Sequence, residues 1–583
     1  MVQMRYFPRI LTVSIILACL LVGLTYALTE GEGTGSHRYV NSRGIELPPG
    51  AAPPDKQVVR SFLLEGTYQE WFRTVYKAMH GQRLIAEPLM RVDKNFHLLP
   101  AAAERWEPSE DGLTWFFYLR KGLVFSDGKP LNAHDYVYTF RRGADPDNAY
   151  DFEWYYRPIK NWAAVVRRDV PLDSLGVHAI DDYTLAVETE DVCTYLPHLL
   201  IYSWVSPRQA VEKYGDVWST KPETSISSGP FYLDEWSKAD RMVLKANPAY
   251  YGPAKPYLEM FIGYLHNQAT QPPKLPAYEA DEIDFTLITS QAELSRIKTD
   301  SRMKDELNSF TQFGTFYLTM NTYSGLFSDL RVRQAFSHAI DRKAIMKSAL
   351  QGLAIPAYAM LPPGFPAASS DLSHIQRYDP ELARQRLTEA GFPDGKGFPR
   401  TEMWLRGGES GPTKDAMEGI QAMLRQNLNI NIDVRNIERK IFMDALNNHT
   451  LELGLVPYGY DYVDPSNLLS LWMSNGRHAW RSALFDRMIV EAGTIVGVPD
   501  RRRQLYQDAE RILVEDVGAV FLWHNQVNQI WKSNIKGDAL EPNKDGYRAW
   551  RWDQVQNLST TIYFTDESDR GVKPGLWNRL LRQ

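Results

Sequence analysis

The cleanest alternation in the chain covers residues 113–120, where Leu113, Trp115, Phe117 and Leu119 are separated by Thr114, Phe116, Tyr118 and Arg120. A period of two with one wholly apolar face predicts a strand buried on that side. Asp111-Gly112, Lys121-Gly122 and Asp127-Gly128 punctuate it as turns, because glycine takes a positive φ at little steric cost. The pattern then turns helical: Asn132 stands at an N-cap position, Asp135 lies in the first turn, and Tyr136, Val137 and Phe140 supply an apolar face. A stronger helix follows Ser328 or Asp329, either of which can cap it. Its apolar residues Val332, Ala335, Phe336, Ala339 and Ile340 fall at i, i+3, i+4, i+7 and i+8. Residues 57–64 read as a first strand.

Several stretches carry more than periodicity. Leu84-Ile85-Ala86-Glu87-Pro88-Leu89 precedes Leu99-Pro100-Ala101 and the strand just described. Ser227-Ser228-Gly229-Pro230-Phe231-Tyr232-Leu233 is followed by Asn247-Pro248-Ala249-Tyr250-Tyr251. Asn321 leads to Phe327-Ser328-Asp329-Leu330-Arg331-Val332-Arg333-Gln334-Ala335 and Ile340-Asp341-Arg342; Pro356-Ala357-Tyr358, Leu361-Pro362-Pro363 and Tyr378-Asp379-Pro380-Glu381-Leu382-Ala383 come next. In this order, over residues 58–534, the chain resembles the large extracytoplasmic solute-binding proteins of ABC transporters, the oligopeptide-binding family (family 5).

The resemblance implies an α/β, periplasmic-binding-protein-like fold (type II, cluster C). Such a fold is bilobal with an extra lobe, and a ligand cleft lies between lobes joined by a hinge. Lobe I is implied at residues 57–91, 183–308 and 535–583, lobe II at 92–182 and lobe III at 309–534. No internal repeat is present at the usual periods of 20 to 50 residues.

A length of 583 residues exceeds what one core serves, in keeping with several domains. The net charge of -6 argues against a nucleic-acid partner and suits an exported, soluble, monomeric protein. Arg5 and Arg9 precede an uncharged apolar stretch at residues 10–28, the order of an export signal. Three fates fit it. Thr25-Tyr26-Ala27 offers a cleavage site, Ile16-Leu17-Ala18-Cys19 resembles a lipoprotein box, and the stretch is long enough to stay as a membrane anchor. Residues 29–56, rich in Gly, Pro and Glu, are expected to form a flexible linker. Cys19 and Cys193 are the only cysteines; Cys19 lies in the apolar stretch, so no disulfide framework is expected and Cys193 is expected to be buried.

Catalytic patterns are missing. The 12 histidines include no H-E-x-x-H pair, no G-x-S-x-G elbow occurs, and Gly31-Glu32-Gly33-Thr34-Gly35 precedes neither lysine nor helix. The sequence therefore reads as a binding protein and not an enzyme, with no cofactor and no metal required. Binding is expected around Tyr458-Gly459-Tyr460-Asp461-Tyr462-Val463-Asp464-Pro465-Ser466-Asn467. Asp464 precedes a proline suited to the first helical position and reads as an N-cap. Asp461 matches the family's x-D-Y-x-[DE]-P segment, whose aspartate pairs with a peptide's terminal ammonium; a turn-former bonding its own backbone is the alternative. Tyr458, Tyr460, Tyr462 and Trp472 are candidate cleft residues, each explained equally by packing. Some peptide binders carry arginines for the ligand's carboxylate where Leu446 and Leu455 stand here. The resemblance implies a receptor that delivers peptides or peptide-like solutes to an ABC permease in the membrane. The rival readings are a sugar, opine, metal chelate or murein peptide in the same fold, a membrane-tethered solute sensor, and a secreted hydrolase.

Overall fold

The computed structural model describes residues 38–566 except 80, 253–255, 268, 409–410, 497–498 and 551–557. The apolar stretch at 10–28, with its export and anchor readings, lies outside the described residues. Among the described residues no helix is long and apolar enough to cross a membrane. The expected flexible linker at 29–56 is corrected over its described part. Asn41 Nδ2 donates to the Pro256 carbonyl (3.0 Å), the Ala52 N–H donates to the Phe564 carbonyl (2.7 Å), and Leu47, Ala51 and Ala52 are buried. Composition counts large hydrophobes, whereas this segment docks through backbone and amide hydrogen bonds that composition does not register.

The first lobe is built on a four-stranded sheet in the order Val58–Leu64, Met260–His266, Arg241–Ala246, Phe231–Ser237; the first pair is parallel and the others antiparallel. Val59, Phe261, Leu244 and Leu233 fill its core. Two of the sequence landmarks meet at its edge. The Gly229 N–H donates to the Ile85 carbonyl (2.9 Å), and a Cβ at 229 would lie 2.7 Å from the Ile85 backbone, so only glycine fits. Asn247 Nδ2 donates to the Gly229 carbonyl (2.9 Å), and the Tyr250 hydroxyl donates to Glu87 (3.2 Å), which also holds Arg91 (2.6 Å). These landmarks hold loops together; none is a reactive group.

The second lobe carries an antiparallel sheet ordered Ala103–Pro108, Thr114–Leu119, Thr184–Glu188, Val177–Asp181. Trp115, Phe117 and Leu119 point inward as the alternation predicts, while Leu113, just before the strand, is exposed. The helix Ala133–Ala144 starts with a full capping box between Asn132 and Asp135. The expected boundary between residues 182 and 183 is corrected, because it falls inside the hairpin formed by Val177–Asp181 and Thr184–Glu188. The core of this lobe reaches from Trp71 to Val205, wider than the expected 92–182.

The third lobe is organised around the thirteen-residue strand Ala519–Trp531. Its first half pairs with Gly314–Met320, which continues through Leu453–Gly459 and Thr401–Arg406 to Ile432–Ile437. Its second half pairs with Leu307–Thr311 and Phe285–Ile288, beside the first lobe. One strand thus serves two bodies, and the chain passes between them at 311–314 and 523–526. The expected boundary at Ser309 therefore falls inside a strand, and that at Asn534 lies beyond the crossing. Hydrogen bonding continues along the strand through the crossing, so the boundary is set by the partner strands on either side. The strongest predicted helix is present as Leu330–Ala339, capped by Asp329. Its Arg333 donates to the carbonyls of Phe327, Asp516 and Val517, and the fully buried Arg342 donates to those of Ala357 and Gln376. The D-x-R-V-R and D-R signatures are staples of the fold.

Candidate ligand-binding site

The strand Leu453–Gly459 lies between Gly314–Met320 and Thr401–Arg406 and leaves the sheet at Gly459. Just beyond its end the Tyr460 N–H donates to the Phe313 carbonyl (3.0 Å). Asp461 follows with an unusual allotment of bonds. Its N–H donates to Asn467 Oδ1 (2.8 Å), and its Oδ2 accepts from the Tyr458 hydroxyl (2.8 Å) and Asn467 Nδ2 (3.2 Å). Its Oδ1 accepts nothing from the described residues. Burial pushes this carboxyl above the usual range, outweighing the lowering effects of its two donors and of the nearby Arg477 charge.

Asp464, three residues on, is in the opposite condition. It caps Pro465–Leu469 by accepting from the Ser466 N–H (3.0 Å) and hydroxyl (2.7 Å). Arg502 grips both its oxygens (2.7 and 2.9 Å), and these partners together outweigh burial and hold its carboxyl below the usual range. One aspartate is saturated by the fold. The other keeps an oxygen in reserve.

The tyrosines divide. Tyr458 is half-buried between Asp461 and Arg477, whose guanidinium carbon lies 5.4 Å from the ring centre. Tyr460 turns into its own lobe, against Phe313 (5.5 Å) and Phe365 (6.1 Å). Tyr462 crosses to the second lobe, where it stacks on Tyr195 at 4.9 Å and 5° and meets the edge of Tyr155 at 6.3 Å. Trp472 belongs to none of this and is corrected as a cleft candidate. It is fully buried, stacked on His478 at 4.0 Å and packed on Tyr317 at 5.2 Å. Leu446 and Leu455 are core residues and offer no cation.

Tyr155, Tyr195 and Arg477 lie outside the segment expected from sequence, whereas Asn467 ends it. The first two lie more than 260 residues from Tyr462, and nothing local marks them. Immediately past Tyr462 a cavity of about 710 Å³ opens between the second and third lobes, lined by Phe96, His198, Phe365, Asp464, Arg502 and Tyr506. Tyr458, Asp461, Tyr462 and Arg477 do not line it. Among the described residues no group of three or more His, Cys, Asp or Glu could hold a metal. Cys193 is buried, and burial pushes its thiol up to about 12, so it is no nucleophile.

A family model described as "Bacterial extracellular solute-binding proteins, family 5 Middle" matches residues 97–480. The chain belongs to this family. Among its family 5 relatives is the periplasmic oligopeptide-binding protein OppA of Salmonella typhimurium, 31% identical over 454 residues, covering 76% of this chain and 82% of that protein. The periplasmic murein peptide-binding protein MppA of Escherichia coli is 26% identical over 516 residues, 86% and 94% of the two chains. Among solved structures, unliganded, open MppA aligns with a TM-score of 0.76 at 23% identity, covering 89% of this chain and 99% of its own. Haemophilus influenzae OppA, in complex with RPPGFSPFR, aligns at 0.62 and 22% identity, covering 88% and 99%. These likenesses establish the α/β periplasmic-binding-protein fold implied by the sequence.

Proposed function

We propose that this family 5 protein is the extracytoplasmic receptor of an ABC importer, capturing oligopeptides or peptide-like solutes and passing them to a membrane permease. The observation that carries this reading is the unshared oxygen of Asp461. A half-buried carboxylate with no cation within ion-pair distance is costly to maintain, and a ligand ammonium is the group that compensates it. At about 4 Å and an effective dielectric near 20, that pair is worth roughly 4 kcal/mol of Coulomb energy. The end of the strand at Gly459 supplies backbone groups for an extended peptide, which give affinity without demanding a particular sequence. The oligopeptide-binding OppA relatives support a peptide ligand, and the murein peptide-binding relative MppA supports a murein peptide as the second reading.

The segments at 311–314 and 523–526 serve as the hinge in this reading. The ligand contacts that span two lobes exist when the lobes are closed, and that differential affinity drives closure. The protein acts as a monomer outside the cytoplasm, cleaved or anchored at its N-terminus, and calls for neither cofactor nor metal. Mass spectrometry of what copurifies with the protein tests the reading. A ladder of intact peptides is expected; a single sugar, opine or chelate overturns it.

A further inference from the structure

Arg477 lies on the loop after the short turn Ser470–Trp472, half-buried, with its guanidinium carbon 5.4 Å from the centre of the Tyr458 ring. The hydroxyl of that same ring donates to Asp461 at 2.8 Å. One phenol therefore separates a carboxylate from a guanidinium, and the two charges do not pair. Among the described residues the Arg477 side chain donates no hydrogen bond and lies within ion-pair distance of no carboxylate. Other arginines of this lobe behave differently: the part-buried Arg502 is bidentate to Asp464, and the buried Arg333 engages four carbonyls and the Asp516 carboxylate. A guanidinium presents five N–H donors in a planar fork that matches a carboxylate in two parallel bonds. Arg477 holds that fork unused beside an aspartate with an unused oxygen.

We infer that Arg477 receives the carboxylate of the ligand whose ammonium Asp461 receives, so that the site selects short zwitterionic peptides. This inference rests on the peptide reading above. It also favours short ligands: the guanidinium lies over the ring whose hydroxyl meets the carboxylate, and an extended chain advances at most about 3.5 Å per residue, so two charges sharing one phenol suit two or three residues. Leu446 and Leu455, buried in the core, supply no competing cation.

The test compares trialanine, its C-terminal amide and its N-acetyl form by calorimetry, with wild type, Arg477→Gln and Arg477→Lys. In wild type the amide is expected to bind roughly 30-fold more weakly than the acid, the loss of one charge-assisted contact. Arg477→Gln should weaken the acid to the level of the amide while leaving the amide within about 3-fold of its wild-type affinity, and Arg477→Lys should fall between. A hexapeptide should bind at least about tenfold more weakly than trialanine. Equal loss for acid and amide in Arg477→Gln would show that Arg477 merely positions Tyr458 through a cation–π contact, and would overturn the inference. So would wild type that discriminates against the N-acetyl form but not the amide; in that case the peptide reading stands. Wild type that binds none of these peptides removes both.

Discussion

Asp461→Asn removes one charge and little else. The amide is isosteric, its oxygen still accepts from the Tyr458 hydroxyl, and the Asp461 N–H bond to Asn467 is unaffected. What is lost is the attraction to a ligand ammonium, roughly 4 kcal/mol in gross Coulomb terms near the surface. Truncating one partner of a buried charge pair costs about 2–5 kcal/mol in practice, or roughly 30- to 4,000-fold in Kd. Calorimetry with trialanine should read that loss, and N-acetyl-trialanine should bind wild type and variant alike. The pH dependence follows in sign. Burial holds the free protein's Asp461 carboxyl above its ordinary value, so peptide affinity should rise with pH through that raised range and then level off. Stability of the free protein runs the other way: a carboxyl whose folded pKa is raised penalises folding once it ionises, so Asp461→Asn should melt no lower than wild type at neutral pH. Equal trialanine affinity in the two proteins, or equal loss for the free and N-acetyl peptides, would refute the assignment of Asp461 to the ammonium.

Three further outcomes are expected. Arg502→Ala leaves Asp464 buried without its cation and strips support from the Asp464 N-cap, so chemical denaturation should show a loss of about 3–5 kcal/mol; a loss below about 1 kcal/mol would contradict the buried pair. Glu510 is fully buried, accepts from the Leu361 N–H (2.7 Å), leaves Oε2 unpartnered, and is pushed up by burial to about 8. The folded state therefore holds a proton that the unfolded state releases, and stability should fall by roughly 4 kcal/mol as pH rises from about 4.5 to 8. Glu510→Gln should flatten that slope in pH-dependent denaturation; an unchanged slope would place its origin elsewhere. Tyr462→Ala removes the stack on Tyr195 between lobes and should weaken peptide binding by about 1 kcal/mol, whereas Tyr462→Phe should not.

Local signals were legible wherever a residue's job depends on its near neighbours. Asn132 with Asp135, Asp329 ahead of Val332, and Asp464 ahead of Pro465 are read from spacing and found as caps. The alternation through Trp115, Phe117 and Leu119 is likewise found on the buried face of a strand. What spacing misses is long-range. Trp472 has the composition of a cleft residue, but its burial is decided by Tyr317 and His478, which belong to other elements. Tyr155 and Tyr195 matter because a third lobe folds back onto them, and no window of sequence contains both partners. The strand Ala519–Trp531 turns from apolar to polar at His524-Asn525-Gln526, but that change alone does not say which strands pair with each half, so its division between two bodies is seen only once its partners are known. The docking of Asn41 to Ala52 depends on carbonyls supplied from Pro256 and Phe564.

Small-angle X-ray scattering of the mature protein with and without saturating trialanine tests most directly whether a guest is held between closing lobes. A fall in the radius of gyration is expected for wild type, with none for Asp461→Asn at the same peptide concentration. Scattering profiles that stay identical while calorimetry records trialanine binding to wild type would contradict the account.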